Sequence, residues 1–266
     1  MKKKFLFLIF LLVAFIIIDL THFSTDWDLL SILIPQFRMP RTLVVLIAGT
    51  ALAMAGFIIQ TVVDNPLADA GTLGITSGAS AGAVLFLFLS QWLKLSGSWI
   101  FMYPLFALLG GLFSFTLLYH LALKKNVSNI QVLLIGLGIT ALFQALITLA
   151  QLSINRFDFQ QVAVWLSGDI WQTDKTFISV NLVLLIIGLV IFIFFRKELD
   201  LLSLGQEMAT SLGLNVKKSK MQFYILALLF ASIGVLLVGG LAFIGLIAPQ
   251  EYPTLGTGDF RNIALD

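Results

Sequence analysis

The chain has 266 residues, of which 59% are apolar and only 11% charged, with a mean hydropathy of +1.02. Soluble domains are about 45–50% apolar and about 25% charged, so composition alone excludes a soluble enzyme, a nucleic-acid binder and a disordered tail. A net charge of +2 marks no polyanionic partner, the absence of cysteine removes disulfides and thiolate chemistry, and two histidines, His22 and His120, are too few for a multi-histidine metal centre.

A bilayer core about 30 Å thick is crossed by roughly 20 apolar residues in a helix. Continuous runs of this kind lie at 5–21, 42–63, 73–91, 99–122, 130–152, 177–195 and 221–240, and a shorter run, Leu241–Pro249, follows Gly239 and Gly240. Strands of a membrane barrel would alternate instead. The reading is an all-α polytopic transmembrane helical bundle of seven to eight spans, forming a single transmembrane domain over residues 1–266. No small-x-small cleavage site follows the first run, where Thr21-His22-Phe23 stand, so that run is expected to stay as a span. With the N-terminus cytoplasmic, the inner segments hold Lys2, Lys3, Lys4, Lys124, Lys125, Arg196, Lys197, Lys217, Lys218 and Lys220. The outer segments then hold Arg38, Arg41, Lys94, Arg156 and Lys175, and this asymmetry favours the orientation.

In chain order, the first unusual feature is Arg38-Met39-Pro40-Arg41, two outer cations at a helix start, where the dipole disfavours positive charge. They read either as anchors for lipid phosphates or as receptors for carboxylates. Next, Asp64–Gly71 breaks the helical pattern, because Pro66 removes a donor and disfavours α geometry at Asn65. This segment is either an ordinary turn or one lining the inner end of a pathway, since irregular backbone near membrane depth needs protein or a water-filled cavity around it. Gly74, Gly78 and Gly82, with Ser77 beside them, form a small-residue face for close helix packing or for a pathway wall. In the outer loop 153–176, the stretch Gln160–Ile170 suits an interfacial helix, with Trp165 and Trp171 at headgroup level. Farther on, Gly205–Gly213 suits a short inner helix closed by glycine, either a solvated connector or a unit that docks in a partner's groove.

All 14 acidic residues fall in loops or near the ends of the runs, and no Lys or Arg falls at a run's centre. A proton- or sodium-driven carrier normally needs an ionisable group near the midplane, and a membrane hydrolase needs a positioned acid, base or metal. Catalysis and cofactor binding by this chain are therefore not expected. No G-x-x-x-x-G-K-[ST] loop is present either, so uphill transport would need ATP bound by another polypeptide.

Three motifs in order resemble those of the FecCD-like permease subunits of type II ABC importers, the iron-siderophore, haem and cobalamin class. They are Arg38-Met39-Pro40-Arg41; Asn65-Pro66-Leu67-Ala68-Asp69 with Gly71, Leu73-Gly74 and Ser77-Gly78-Ala79-Ser80; and Leu202-Ser203-Leu204-Gly205 to Gly213, followed by Leu241–Pro249. Ala70 stands where the family usually has proline, and Gln250 where it has histidine.

The resemblance implies a ten-span fold, of which two crossings would follow the part present here, so the chain is expected to be a shortened form. It further implies that Arg38 and Arg41 receive acidic residues of an extracytoplasmic substrate-binding protein. Asn65, Pro66, Leu67 and Ala68 would form a cytoplasmic gate or turn. Gln206, Glu207, Met208, Ala209, Leu212 and Gly213 would face a cytoplasmic ABC ATPase. A second permease copy would complete the pathway in a bacterial inner or plasma membrane, with an iron chelate as cargo. An ion-coupled secondary carrier and a non-transporting membrane scaffold are the rival readings.

Overall fold

A computed structural model describes residues 2–21, 31–93, 103–125, 127–152, 160, 163–164, 167–168, 170, 174–241 and 244–250. Among these, nine α-helices account for the apolar runs: α1 (Lys2–Thr21), α2 (Met39–Val63), α3 (Ile75–Trp92), α4 (Tyr103–Leu121), α5 (Asn129–Leu152), α6 (Lys175–Ser203), α7 (Gln206–Ser211), α8 (Val216–Val238) and α9 (Ile244–Gln250). Helices α2, α4, α5, α6 and α8 are long and apolar enough to cross a membrane, while Leu6–Leu20 of α1 and Ile75–Ser90 of α3 are shorter apolar stretches. In lipid, backbone donors and acceptors must be satisfied within the segment, which is why runs of this composition fold as helices. The proposed interfacial helix around Trp165 and Trp171 lies largely outside the described residues.

Side chains at the helix starts mark the ends. Asp174 Oδ1 accepts from Phe177 N at 2.9 Å at the head of α6, and Asn215 Oδ1 accepts from Lys218 N at 3.1 Å at the head of α8. Ser128 and Gln131 exchange hydrogen bonds at the head of α5, a reciprocal capping box. Two helices run past the lengths that hydropathy suggests. Helix α6 continues from the apolar run through Arg196, Lys197, Glu198 and Asp200 to Ser203. Ahead of α2, helical backbone begins at Ser31 and passes through a π-helical turn, Ile34–Arg38, in which Met39 N reaches back to Ile34 O. Pro35 and Pro40 lack N–H donors, and the wider turn accommodates the interrupted ladder.

Helices α2 and α8 occupy the centre and pack along each other, with Ile58, Ile59, Phe223 and Phe230 almost fully buried. Around them α6 turns Val183, Ile186, Val190 and Phe194 outward, and α5 turns out Ile130, Leu134 and Leu149. Large exposed apolar side chains all around the bundle are what lipid-facing helices require.

The small-residue face of α3 is used in packing. A Cβ on Gly82 would lie 2.1 Å from Phe106 O, and one on Gly78 would lie 2.3 Å from Ser114 Cβ and 2.8 Å from Gly110 O. Gly110 of α4 answers in kind, its missing Cβ falling 2.2 Å from Gly78 O. Helices α3 and α4 thus meet backbone to backbone. A second seam joins α2 to α9, where Gly56 faces Gly245 and Gln60 Nε2 donates to Leu246 O at 3.1 Å. The described part of helix α9 has 7 residues, about 10 Å of axis.

Candidate functional site

Two breaks in the helical backbone converge on one cavity. The first is the turn after α2. Asp64 ends that helix in the left-handed region (φ 52°), Asn65 Oδ1 accepts from Leu67 N at 2.8 Å, and Ala68 N donates to Asn65 O at 3.1 Å. Asp69 and Thr72 then lock each other: Thr72 N donates to Asp69 Oδ1 at 2.7 Å, and Asp69 N donates to Thr72 Oγ1 at 2.8 Å. From there the chain climbs back into the bundle. Thr140 Oγ1 donates to Gly71 O at 2.8 Å, and Ser114 Oγ donates to Gly74 O at 2.6 Å. At 1.5 Å per residue, Thr140 lies about 16 Å along α5 from Asn129, and Ser114 about 10 Å along α4 from Leu121. Helix α3 therefore starts well inside a hydrocarbon layer whose half-thickness is about 15 Å. The turn is drawn into the bundle.

The second break is Gly239–Leu241 between α8 and α9, with Gly239 at φ 74°. Both breaks line a cavity of about 240 Å³, with Asp69, Thr72, Thr76, Ser77, Thr140 and Gln144 as its polar wall. Irregular backbone at this depth survives because the cavity and surrounding protein take up its polar groups. Ser77 and Ser80 belong to this wall, whereas Gly78 and Gly82 are spent on α4. Asp69 lies in this turn, in keeping with the sequence reading that puts every carboxylate in a loop or near a span end. Hydropathy registers it as part of a turn, but the turn itself is drawn inward.

The other constellation sits at the end of the bundle where Asp64, Asn129, Glu198 and Lys220 gather. Lys220 Nζ donates to Asn129 Oδ1 at 3.2 Å, and Ser219 Oγ bonds Glu198 Oε2. Here α7 is bracketed by two glycines in the left-handed region, Gly205 at φ 97° and Gly213 at φ 87°. Nothing lies within 4 Å of a Cβ at either, so backbone conformation, not space, selects glycine. Gln206, Glu207, Met208, Leu212 and Gly213 are exposed, with Met208 at 55% and Leu212 at 57%. Ala209 differs from the expectation that all six residues face outward: it is fully buried and seats α7 on the bundle.

The model of the FecCD transport family matches residues 5–265. The chain is 39% identical over 217 residues to the iron(3+)-hydroxamate import system permease protein of Bacillus subtilis (strain 168), a match covering 81% of this chain and 65% of that protein. It is 34% identical over 228 residues to the Fe(3+) dicitrate transport system permease protein of Escherichia coli (strain K12), covering 86% of this chain and 69% of that one. The chain belongs to the FecCD transport family. Another relative, the vitamin B12 import system permease protein of Pectobacterium atrosepticum, is 32% identical over 263 residues, covering 94% of this chain and 77% of that protein. The fold superposes on a structure described as an inward-facing conformation of a metal-chelate type ABC transporter, with a TM-score of 0.81, 25% identity, and coverage of 96% of this chain and 81% of that one. This FecCD family chain therefore spans about two thirds of the length of the hydroxamate permease that it matches.

At the opposite end of the FecCD bundle, Arg38 has a local task that sequence reasoning missed. Its Nη1 donates to Leu20 O at 2.8 Å and to Asp19 O at 3.3 Å, and Thr42 Oγ1 donates to Asp19 Oδ2 at 2.9 Å. A guanidinium at the carbonyl end of α1 meets acceptors that have no partner within that helix. This supplies the compensation that a cation at the start of α2 demands. Replacing Arg38 by methionine is expected to destabilise the fold by about 1–2 kcal/mol, measured as a lower thermal unfolding midpoint in detergent, with Arg38→Lys recovering only part of it.

Proposed function

We propose that the chain is the membrane-spanning subunit of an ATP-driven importer of an iron chelate. A motor would engage α7 from the cytoplasm, a substrate-binding protein would dock on the end bearing Arg38 and Arg41, and a second permease copy would complete the pathway. The observation that carries this reading is α7 itself. Buried Ala209 fixes a rigid six-residue helix between two glycine hinges, while Glu207, Met208 and Leu212 project from an end rich in Lys and Arg. Exposed Met and Leu side chains on a short protruding helix suit a partner's groove. The basic residues around it, Lys124, Lys125, Lys217 and Lys218, favour a cytoplasmic position for this end. The relatives named as hydroxamate and dicitrate import permeases support iron chelates as the cargo class.

The test is association. Glu207→Arg is expected to lower co-purification of the ATPase about tenfold or more, because reversing a charge in an interface costs several kcal/mol, while membrane insertion is unchanged. Unaltered co-purification would remove α7 from the coupling role.

Asp69 favours a second reading, in which a carboxylate at membrane depth couples cargo to an ion. Asp69→Asn keeps an oxygen for Thr72 N and so should preserve the turn. Under motor-driven transport, uptake into vesicles supplied with ATP and binding protein is expected to stay within about threefold of the parent. Complete loss of uptake in this variant, with ATPase turnover intact, would favour the ion-coupled carrier.

A further inference from the structure

The end of the bundle that bears α7 also holds a cavity of about 310 Å³ between α5 and α8, with the head of α7 along its edge. Its mouth is polar and cationic: Lys217 is exposed, Asn129 and Lys220 are half-buried, and Gln206 of α7 closes one side. Its floor is apolar, made by buried Val132 with half-buried Leu123 and Met221. Beside this opening α5 is lipid-facing, with Ile130 69% exposed and Leu134 62% exposed. The volume falls in the range of small-ligand sites, about 300–1,000 Å³.

We infer that this cavity binds the headgroup of an anionic phospholipid, with the upper part of one acyl chain on the Leu123, Val132 and Met221 floor. The lining dictates the ligand class. Two ammonium groups at the mouth call for a phosphodiester, while the greasy floor has no use for a free anion. Asn129 gives its Oδ1 to Lys220 Nζ, which leaves Nδ2 able to donate to a phosphate oxygen. The heads of α5 and α8 add positive helix ends on the same side. A polybasic surface would bind lipid diffusely, whereas this cavity binds one molecule in a defined place. Because Gln206 forms part of the wall, an occupied site would also brace α7; that consequence alone rests on the coupling role proposed above.

The probes are phosphatidylglycerol, phosphatidylcholine with the same acyl chains, and inorganic phosphate, each added to the delipidated full chain in detergent and read by native mass spectrometry. One phosphatidylglycerol per chain is expected, bound at least tenfold more tightly than phosphatidylcholine. Removing one lysine charge, in Lys217→Gln, is expected to weaken retention about fivefold, and the Lys217→Gln, Lys220→Gln pair tens of fold. Lys220→Arg keeps the charge and should leave retention unchanged, as should Arg196→Gln, which lines a different cavity. Equal retention of both lipids, or unchanged retention in the double variant, would overturn the site. Displacement of phosphatidylglycerol by an equal concentration of inorganic phosphate would overturn the lipid assignment in favour of a free-anion site. The exposed Lys217→Gln variant decides the matter if the double variant fails to fold, since its thermal midpoint in phosphatidylcholine micelles should match the parent.

Discussion

Replacing Gly82 by leucine is expected to eliminate most monodisperse protein from a detergent extract. The Cβ alone would sit 2.1 Å from Phe106 O and 3.0 Å from Gly110 Cα, and both obstacles are backbone. No rotamer relieves such a clash, so α3 and α4 must separate along the seam that Gly78 and Gly110 share. Overpacking typically costs about 1–3 kcal/mol when side chains can yield, and more is expected where only helices can move. Gly49→Leu is the matched control, because nothing lies within 4 Å of a Cβ at Gly49. Equal yields and unfolding midpoints for the two variants would show that the seam is not tight.

Gly74→Val is expected to have the second large effect, through the turn that leads into α3. Gly74 has φ 82°, and a Cβ there would meet Ile139 Cγ2 at 2.7 Å. Left-handed backbone costs a β-branched residue about 1–2 kcal/mol, and the collision with α5 adds to that. Asn tolerates the left-handed region better, so Gly74→Asn keeps the collision while relieving much of the conformational cost. The valine variant should show the lower thermal midpoint of the two, and both should lie below the parent. Limited proteolysis between Asp64 and Thr72 provides an independent readout, with faster cleavage expected in the valine variant. A valine midpoint equal to the parent's would mean that neither the φ nor the Ile139 contact constrains the start of α3.

Much of this architecture is legible in sequence because lipid leaves a continuous record. Each apolar run from α1 to α8 corresponds to a helix, since a segment without water has one way to satisfy its backbone. The ends are less legible. Hydropathy locates where solvent changes, so it stops near the middle of α6's last turns, although Arg196, Lys197 and Glu198 remain good helix formers. The turn Asn65–Gly71 is visible through Pro66 and Gly71, yet its depth depends on bonds to Ser114 and Thr140, far away in the chain. For the same reason the place of Asp69 on the cavity wall is hidden. Gly205 and Gly213 announce α7 directly, whereas Gly56, Gly110 and Gly245 matter only once α2 meets α9 and α4 meets α3.

Helix α6 carries one more mechanical consequence. Its 29 residues form an uninterrupted rod about 44 Å long, roughly half as long again as a bilayer's hydrocarbon core, and its overhanging end passes straight into the Gly205 hinge. No proline interrupts it. Such a beam converts rotation at one end into displacement at the other, and a tilt of about 10° would swing the free tip by about 8 Å. Contacts along the rod would shift in proportion to their distance from the pivot, so a movement imposed at the tip reaches the rows of side chains deeper in the membrane at reduced amplitude.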